Sequence, residues 1–193
     1  VDSDAETVTV RVEAGEIWDA VVTRAVTEGW SGIECLAGIP GRAGATPIQN
    51  VGAYGQEVAE TITRVQVYDT STGQIGWLDA SACGFGYRTS VFKRSTRWVV
   101  LAVEFRLRRS PVSAPVRYAE LARTLDVPVG SHAPLAVVQE AVLTLRAGKG
   151  MVLDPSDPDS CSAGSFFTNP VLTVSAAEEV RQRCAGLGEP PSL

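Results

Sequence analysis

The stretch "GIPGRAGATPIQNVGAYGQE", residues 38–57, decides how the rest of the chain is interpreted. It contains five glycines and two prolines, and Arg42 is its only charged residue before Glu57. Glycine permits positive φ and close backbone approach, and proline removes an amide donor, so this density predicts a shaped loop instead of a regular helix or strand. Surface loops are seldom apolar, yet this one carries isoleucine, valine, alanine and tyrosine side chains. We therefore expect something to cover the loop.

The composition of the whole chain is typical of a soluble globular protein. Its 193 residues are 45% apolar and 20% charged, which suits one large or two small domains with a core. No apolar run reaches the roughly 18 residues of a membrane span, and the acidic start "VDSDAETVTV" lacks the basic segment of a targeting leader. We predict a cytoplasmic protein with no membrane partner. The net charge of −5, without an extended basic cluster, argues against a nucleic-acid partner.

Several classes of active site are excluded by what the sequence lacks. It has neither the glycine-rich phosphate loop of nucleoside triphosphatases nor a G-x-G-x-x-G after a strand. His132 is the only histidine, so we predict neither a histidine-activated nucleophile nor a histidine-based metal site. The four cysteines show no C-x-x-C spacing, which favours free thiols over disulfides or a zinc site. We predict no bound metal.

The segments on either side of the loop have the spacing of apolar residues that is typical of β-strands and of one helix. "TVTVRVEA" predicts a strand, and "EIWDAVVTRAVTEG" then has apolar residues at helical spacing until Gly29. "ITRVQVYDTSTGQIGWLD" predicts a hairpin with a turn at 71–73, and "RWVVLAVEFRL" predicts a long strand. The stretch "SPVSAP", residues 110–115, predicts a domain boundary because two prolines and two serines interrupt the periodic pattern.

Beyond this boundary the pattern becomes helical. Residues 118–125 predict a short helix, and "LAVVQEAVLTLRAG" predicts another that follows Pro134, since a helix tolerates proline where its first amide needs no partner. A third helix is predicted to start at Ser175, with Glu178 completing a capping box, and to end near Gly186. The polar, Gly- and Pro-rich stretch between the second and third helices has the length of a functional loop.

Three polar side chains in small or apolar surroundings are candidate functional residues. Arg88 follows Tyr87, and its permanent charge there needs an anion or a carboxylate, although a structural arginine is the simpler interpretation. Ser165 follows two small residues that would let a ligand approach, and a turn serine is the simpler interpretation. Lys149 suits a helix-terminal cation and an anion contact equally. The residues alone indicate a cytosolic α+β ligand-binding protein.

Four motifs, taken in their order along the chain, indicate a family more specifically than any one of them does. "GIPGRAGATPIQNVGAYGQE", "GYRTSVFK", "RYAEL" and "AGSFFTNP" together resemble the UDP-N-acetylenolpyruvoylglucosamine reductase family, the MurB flavoenzymes, over about residues 7–191. Members of that family reduce the enolpyruvyl ether of UDP-N-acetylglucosamine to UDP-N-acetylmuramate with FAD and NADPH. The reaction belongs to the cytosolic stage of peptidoglycan synthesis, and thus to cell-wall biogenesis, cell shape and cell division.

The resemblance implies an α+β fold with two parts. Residues 1–109 would be the second FAD-binding subdomain of the two-subdomain (PCMH-type) flavoprotein fold, and residues 112–193 a small, C-terminally incomplete substrate-binding domain. The Gly-rich loop would pack its backbone against the flavin, where amides serve the pyrophosphate and ring heteroatoms. The implied FAD contacts are Gly38, Ile39, Pro40, Gly41, Gly44, Ala45, Thr46, Ile48, Gln49, Asn50, Gly52 and Tyr54.

The resemblance also assigns roles in the reaction. Arg88 matches a catalytic arginine that stabilises an enolate-like intermediate, and Ser165 matches the serine that protonates it. Tyr118 matches a tyrosine over the substrate, while Lys149 and Asn169 match contacts to the UDP diphosphate.

Two parts of the family pattern have no counterpart here: a first FAD subdomain and a catalytic glutamate that works with the arginine. We therefore interpret the chain as a central fragment, expected to be monomeric, to bind FAD weakly or not at all, and to be inactive by itself. Two alternatives stay open: a non-catalytic fragment that binds the nucleotide sugar, and another FAD oxidoreductase of the same build.

Overall fold

The predicted strands assemble into one antiparallel sheet. The structure is a computed structural model that describes residues 2–160 and 168–186. The strands are β1 (Asp2–Ser3), β2 (Thr7–Glu13), β3 (Trp30–Ser31), β4 (Gly52–Ala53), β5 (Gln56–Glu57), β6 (Ile62–Asp69), β7 (Gln74–Asp79) and β8 (Trp98–Arg109). Within the described ranges, six strands form the main sheet in the order β1-β2-β8-β6-β7, with β3 pairing with the end of β8. The predicted strand, hairpin and long strand are therefore confirmed.

The inner face of the sheet carries the core. The helices are α1 (Trp18–Thr27), α2 (Ala119–Thr124), α3 (Leu135–Ala147) and α4 (Val174–Cys184). Trp18 of α1 is fully buried, with its ring centroid 5.7 Å from that of Phe105 on β8. Its indole Nε1 donates to the carbonyl of Leu36 at 3.1 Å, so the buried N–H has a partner. This contact joins α1, the sheet and the segment that leads into the Gly-rich loop.

The outer face of the sheet combines polar side chains with the exposed Tyr68, Ile75 and Val99. Arg64 on β6 forms an ion pair with Glu104 on β8, with 2.8 Å between Nη2 and Oε2. Its guanidinium carbon also lies 4.5 Å from the centroid of the Trp77 ring. No helix in the described part of the chain is long and apolar enough to cross a bilayer.

The Gly-rich loop is mostly irregular, as predicted. It contains a single 3-10 turn at Ala43–Ala45 and the short β4–β5 hairpin. Two backbone hydrogen bonds tie it to the start of α1: Trp18 N donates to Gly41 O at 3.1 Å, and Ala43 N donates to Glu16 O at 2.9 Å. The expected cover is partial, because Ala43 is fully buried while Ile48 remains 38% exposed.

The predicted boundary at 110–115 lies inside one compact unit, because the chain divides into Val1–Ser162 and Ala163–Leu193. Both predicted helices of this region are present, and Pro134 directly precedes α3. The buried side chains of α3 include Val138 and Val142. The assignment of 1–109 and 112–193 to two functional domains stays a prediction.

The second unit contains α4, and its capping residue lies two positions before the predicted one. Thr173, not Ser175, is the cap residue, because its Oγ1 accepts a hydrogen bond from Ala176 N at 3.3 Å. Glu178 instead pairs with Arg181 one turn later, with 3.3 Å between its Oε2 and Nη1. Two capping residues stand close together here, and the acidic residue three places after the second one misled the prediction.

Candidate functional site

Arg88 docks on the Gly-rich loop. It lies in a tight turn bridged between Gly86 and Thr89, with a positive φ of 50°. Its Nη1 donates to the carbonyl of Asn50 at 3.1 Å, and its Nη2 donates to the carbonyl of Gly52 at 2.7 Å. The side chain is 26% exposed, and tertiary packing thus brings a permanent cation against the loop that sequence analysis singled out.

Part of the Arg88 guanidinium has no acceptor in the described residues. A guanidinium has five N–H donors. Nη1 donates to Asn50 and Glu57, and Nη2 donates to Gly52 alone, which leaves Nε–H and the second N–H of Nη2. We call these two groups the open donors of Arg88. Two donors on one guanidinium suit an incoming carboxylate or phosphate.

Neighbouring groups restrict the position of Arg88. The guanidinium carbon lies 5.4 Å from the centroid of the Tyr87 ring. Lys93 Nζ donates to the backbone carbonyl of Arg88 at 2.6 Å, which supports the left-handed backbone conformation of this turn. The site therefore fixes both the backbone and the end of the side chain.

Gly52 is required by the arginine itself. A Cβ at this position would lie 2.6 Å from Nη1 of Arg88 and 2.8 Å from the carbonyl oxygen of Gln56. The family resemblance implies that glycine lets the loop approach a flavin. In the described residues, the group that approaches Gly52 is the guanidinium, and a flavin contact at Gly52 stays a prediction.

Asn50 is a structural support of the loop. It is 1% exposed and has a positive φ of 47°. Its Nδ2 donates to Glu57 Oε2 at 2.7 Å and to Gly86 O at 3.1 Å, and its Oδ1 accepts from Ala59 N at 3.1 Å. Every polar atom of this side chain therefore has a protein partner, and its predicted FAD contact remains untested.

Sequence analysis missed Glu57. Its carboxylate bridges Asn50 and Arg88, with 3.5 Å between Oε1 and Nη1 of Arg88. The available signal was its place as the only acidic residue of the Gly-rich stretch. A single acid among apolar and small residues indicates that a cation lies opposite it.

The outer side of the loop offers backbone donors. Gly41 and Gln49 are exposed, and their N–H groups donate to no acceptor within the part of the chain that is described. Gly41 has a φ of 116°, and a Cβ at this position would have no atom within 4 Å. Free amides on an apolar, Gly-rich surface fit the phosphate oxygens and ring heteroatoms of FAD. The donor set of the loop is thus compatible with this cofactor.

The predicted FAD contacts differ in their accessibility. Five are exposed: Pro40, Gly41, Ala45, Ile48 and Gln49. Three are buried: Gly44, Thr46 and Asn50. The remaining four are half-buried: Gly38, Ile39, Gly52 and Tyr54. The buried hydroxyl of Thr46 already donates to Ala43 O at 2.8 Å and has no hydrogen left for a ligand. The five exposed residues are therefore better placed to contact FAD.

A second cluster joins predicted cofactor and substrate residues. The rings of Tyr54 and Tyr118 meet edge to face, with 5.5 Å between their centroids. Lys149 Nζ lies 5.9 Å from the centroid of Tyr54 and forms an ion pair with Glu120 Oε2 at 2.7 Å. The hydrogen bond to Glu120 raises the pKa of Lys149, and burial raises the pKa of the Tyr54 phenol. Glu120 was not predicted, although it lies within the "RYAEL" motif.

Arg146 of α3 supports the start of the loop and was also missed. Its Nη2 donates to Gly38 O at 3.2 Å and to Met151 O at 3.3 Å, while its Nε is buried without a partner in the described residues. Burial lowers the pKa of Arg146. Asp19 Oδ1 accepts from Gly38 N at 2.7 Å, so both backbone groups of Gly38 are held. Nothing in the local sequence pattern marks this arginine.

The remaining predicted site residues are Ser165 and Asn169. Ser165 lies outside the described residues, and Asn169 belongs to the second unit, ahead of α4. Among the residues described, no three acidic, histidine or cysteine side chains form a group that could hold a metal. Cys35, Cys83 and Cys184 are free thiols, while the fourth cysteine, Cys161, lies outside the described residues.

A family model and several known proteins match the sequence, and these matches agree with one another. A family model described as an FAD binding domain matches residues 1–79. The UDP-N-acetylenolpyruvoylglucosamine reductase of Salinispora arenicola is 67% identical over 192 residues, which cover 100% of this chain and 53% of that protein. The protein of the same name from Mycobacterium tuberculosis is 55% identical over 181 residues, 92% of this chain and 48% of its own.

A solved structure shares the fold. The crystal structure of UDP-N-acetylenolpyruvylglucosamine reductase (MurB) from Thermus caldophilus matches with a TM-score of 0.57 and 24% identity, over 90% of this chain and 53% of that one. It supports the predicted α+β flavoprotein fold. The chain spans about half the length of the curated relatives it matches. From the sequence matches, the chain belongs to the UDP-N-acetylenolpyruvoylglucosamine reductase family.

Proposed function

We propose that this chain supplies the substrate-carboxylate site of an FAD- and NADPH-dependent reductase. The reaction is the reduction of UDP-N-acetylglucosamine enolpyruvate to UDP-N-acetylmuramate for peptidoglycan synthesis, with a cytoplasmic location and a role in cell shape and division. The observation that carries the proposal is the arginine with two open donors, fixed against a loop whose exposed amides suit a flavin. The family membership supports the same reaction.

The residues that would hold FAD are those on the exposed side of the loop. Gly41 and Gln49 would donate backbone N–H groups, and Ile48 would supply an apolar contact. When bound, the cofactor supplies the hydride that NADPH provides. The loop is held in place beforehand by its hydrogen bonds to Trp18 and Arg88, so little ordering is needed on binding.

Arg88 would bind and stabilise the reacting end of the substrate. Its open donors face no described acceptor and would bind the enolpyruvyl carboxylate. Addition of a hydride to the outer carbon of the double bond moves an electron pair toward this carboxylate, and a fixed cation lowers the energy of that charge. The other carbon then takes one proton, for which Ser165 is the proposed donor. One hydride and one proton together saturate the double bond.

The second cluster would contact the nucleotide. Lys149 and Tyr118 are the proposed contacts from this cluster, with the ammonium of Lys149 facing the diphosphate. Asn169 of the second unit is proposed separately as a diphosphate contact. Since Lys149 is paired with Glu120 at 2.7 Å, diphosphate binding would exchange one anionic partner for another.

Arg88→Lys tests this function in a chain of the relatives' full length. We would replace the matching 192-residue segment of the Salinispora arenicola protein by this chain and call the product the Salinispora chimera. A lysine keeps the charge and loses the fork of donors, so flavin reoxidation by substrate should slow by more than about ten-fold with near-normal substrate affinity. Arg117→Lys is the matched control, because Arg117 forms an exposed ion pair with Glu60.

Stopped-flow absorbance of the flavin and substrate titration provide the two measurements. Equal reoxidation rates for Arg88→Lys and Arg117→Lys would remove Arg88 from the reaction. An inactive chimera beside an active Salinispora arenicola protein would contradict the proposed function of this chain.

The second candidate function is nucleotide-sugar binding without reduction, for which the cluster of Tyr54, Tyr118 and Lys149 is the supporting observation. Calorimetric titration of the 193-residue chain with UDP-N-acetylglucosamine, followed by FAD, separates the two. Sugar nucleotide binding without FAD binding would support this candidate. Binding of neither would exclude it.

A further inference from the structure

The Glu57 carboxylate lies between the two residues that shape the arginine site. Its Oε2 accepts a hydrogen bond from Asn50 Nδ2 at 2.7 Å, and its Oε1 lies 3.5 Å from Nη1 of Arg88. The side chain is 36% exposed, so the carboxylate is partly shielded from water. Each carboxylate oxygen thus serves a different partner, one in the Gly-rich loop and one in the turn that carries Arg88.

Both partners have unusual backbone conformations. The φ angle is 47° at Asn50 and 50° at Arg88, within the left-handed region that non-glycine residues seldom adopt. Such conformations persist where the surroundings hold them. The carbonyl of Asn50 is itself an acceptor for Nη1 of Arg88 at 3.1 Å. Glu57 therefore holds the side chain of the residue whose backbone positions the guanidinium.

The side from which Glu57 approaches also matters. It meets Arg88 at Nη1, while the open donors are Nε–H and one N–H of Nη2. A carboxylate bound across the open donors would compete with an anionic ligand. One bound at Nη1 offsets the positive charge and leaves those donors available. In the described residues, Glu57 is the acidic side chain that forms an ion pair with Arg88.

We propose that Glu57 is a positioning residue for Arg88: it fixes Asn50 and one end of the guanidinium so that the open donors keep a single orientation toward an anionic ligand. The proposal rests on the proposed function where the anion is the enolpyruvyl carboxylate. It predicts that the charge and the length of the Glu57 side chain matter for the rate more than for substrate affinity.

Glu57→Gln in the Salinispora chimera is the first test. The substitution keeps the size of the side chain and removes its charge, so the guanidinium loses one fixed partner. We expect the rate of flavin reoxidation to fall about ten-fold or more, with a change of less than about three-fold in the Michaelis constant. Glu57→Asp, which keeps the charge, should recover part of the rate. Glu60→Gln is the matched control, because it removes the exposed ion pair to Arg117 from the same segment.

A second measurement does not need turnover. In the 193-residue chain, the Nε–H resonance of Arg88 reports by NMR whether the guanidinium holds one orientation. Glu57→Gln should broaden or shift this resonance and speed its exchange with water, while Glu60→Gln should leave it unchanged.

The outcomes separate this proposal from the proposed function. Normal turnover in Glu57→Gln, in an active chimera, would overturn the positioning role and leave the function standing. If the unsubstituted chimera is inactive, the function fails, and the NMR result alone decides the role of Glu57. An unchanged Arg88 resonance would overturn it, and a change confined to Glu57→Gln would support it. A rate loss equal in Glu57→Gln and Glu60→Gln would show general destabilisation and would also overturn it.

Discussion

Replacing Gly52 by alanine tests whether the arginine requires a glycine in the loop. The new Cβ would lie 2.6 Å from Nη1 of Arg88, 2.8 Å from the carbonyl oxygen of Gln56 and 2.8 Å from Cγ of Glu57. The arginine can move because it is the end of a long side chain. The Gln56 carbonyl is backbone in the β4–β5 hairpin and cannot move without disturbing that pairing. Such overpacking costs about 1–3 kcal/mol of the free energy of unfolding.

The assay is thermal unfolding of the 193-residue chain. For a protein of this size, 1 kcal/mol lowers Tm by about 2–4 °C, so Gly52→Ala should lower Tm by about 2–12 °C. Gly15→Ala is the matched control, because a Cβ at Gly15 has no atom within 4 Å. Its φ is not in the left-handed region, so alanine there should be neutral or stabilise by about 0.4–1 kcal/mol. Equal Tm values for the two variants would refute the close approach at Gly52.

Two further predictions concern acid stability and thiol reactivity. Hydrogen bonds from Arg97, at 2.7 and 3.0 Å, hold the pKa of the Asp69 carboxyl well below its usual 3.8. The stability that ionised Asp69 adds to the folded chain is therefore complete well above pH 3.8, and it is lost as the pH falls toward the folded-state pKa. Between about pH 6 and about pH 3, urea unfolding should therefore show a smaller loss of stability in Asp69→Asn than in the unsubstituted chain, and an equal loss would contradict this. Burial raises the pKa of Cys83 to about 11 and also raises that of Cys35. Among the three cysteines that the structure describes, a thiol reagent at about pH 8 should therefore label exposed Cys184 first, as peptide mass spectrometry would show. Labelling of either buried thiol as fast as Cys184 would contradict the core packing.

Much of the fold could be predicted because the signals are local. Alternation in β2, β6 and β8 marked the sheet, since these strands have buried positions on one face and solvated positions on the other. No residue of β7 is buried, and the turn at 71–73 marked that strand as the return of a hairpin. Helical spacing and the position of Pro134 marked α3. The start of α4 was misplaced because Thr173 and Ser175 both suit a helix cap, and only the hydrogen bond of Thr173 distinguishes them.

The candidate site could be predicted only in part. The motifs identified Arg88 and the Gly-rich loop, because an arginine and five glycines are visible as residue types. They did not identify Glu57, Glu120 or Arg146 as members of the site. Each of these charges looks like a solvated surface residue until its partner is known.

The sequence by itself determined the succession of the longer strands and the helices along the chain, the irregular loop and the membership of a family. These features follow from residue types and their spacing. Only the tertiary structure decided which groups meet. Arg88 reaches carbonyls 36 and 38 residues earlier, and Tyr54 meets Tyr118 across two different parts of the chain. Such contacts depend on how the sheet and helices pack around a shared core. Local residue patterns do not predict them, because the contacting residues are far apart in the sequence.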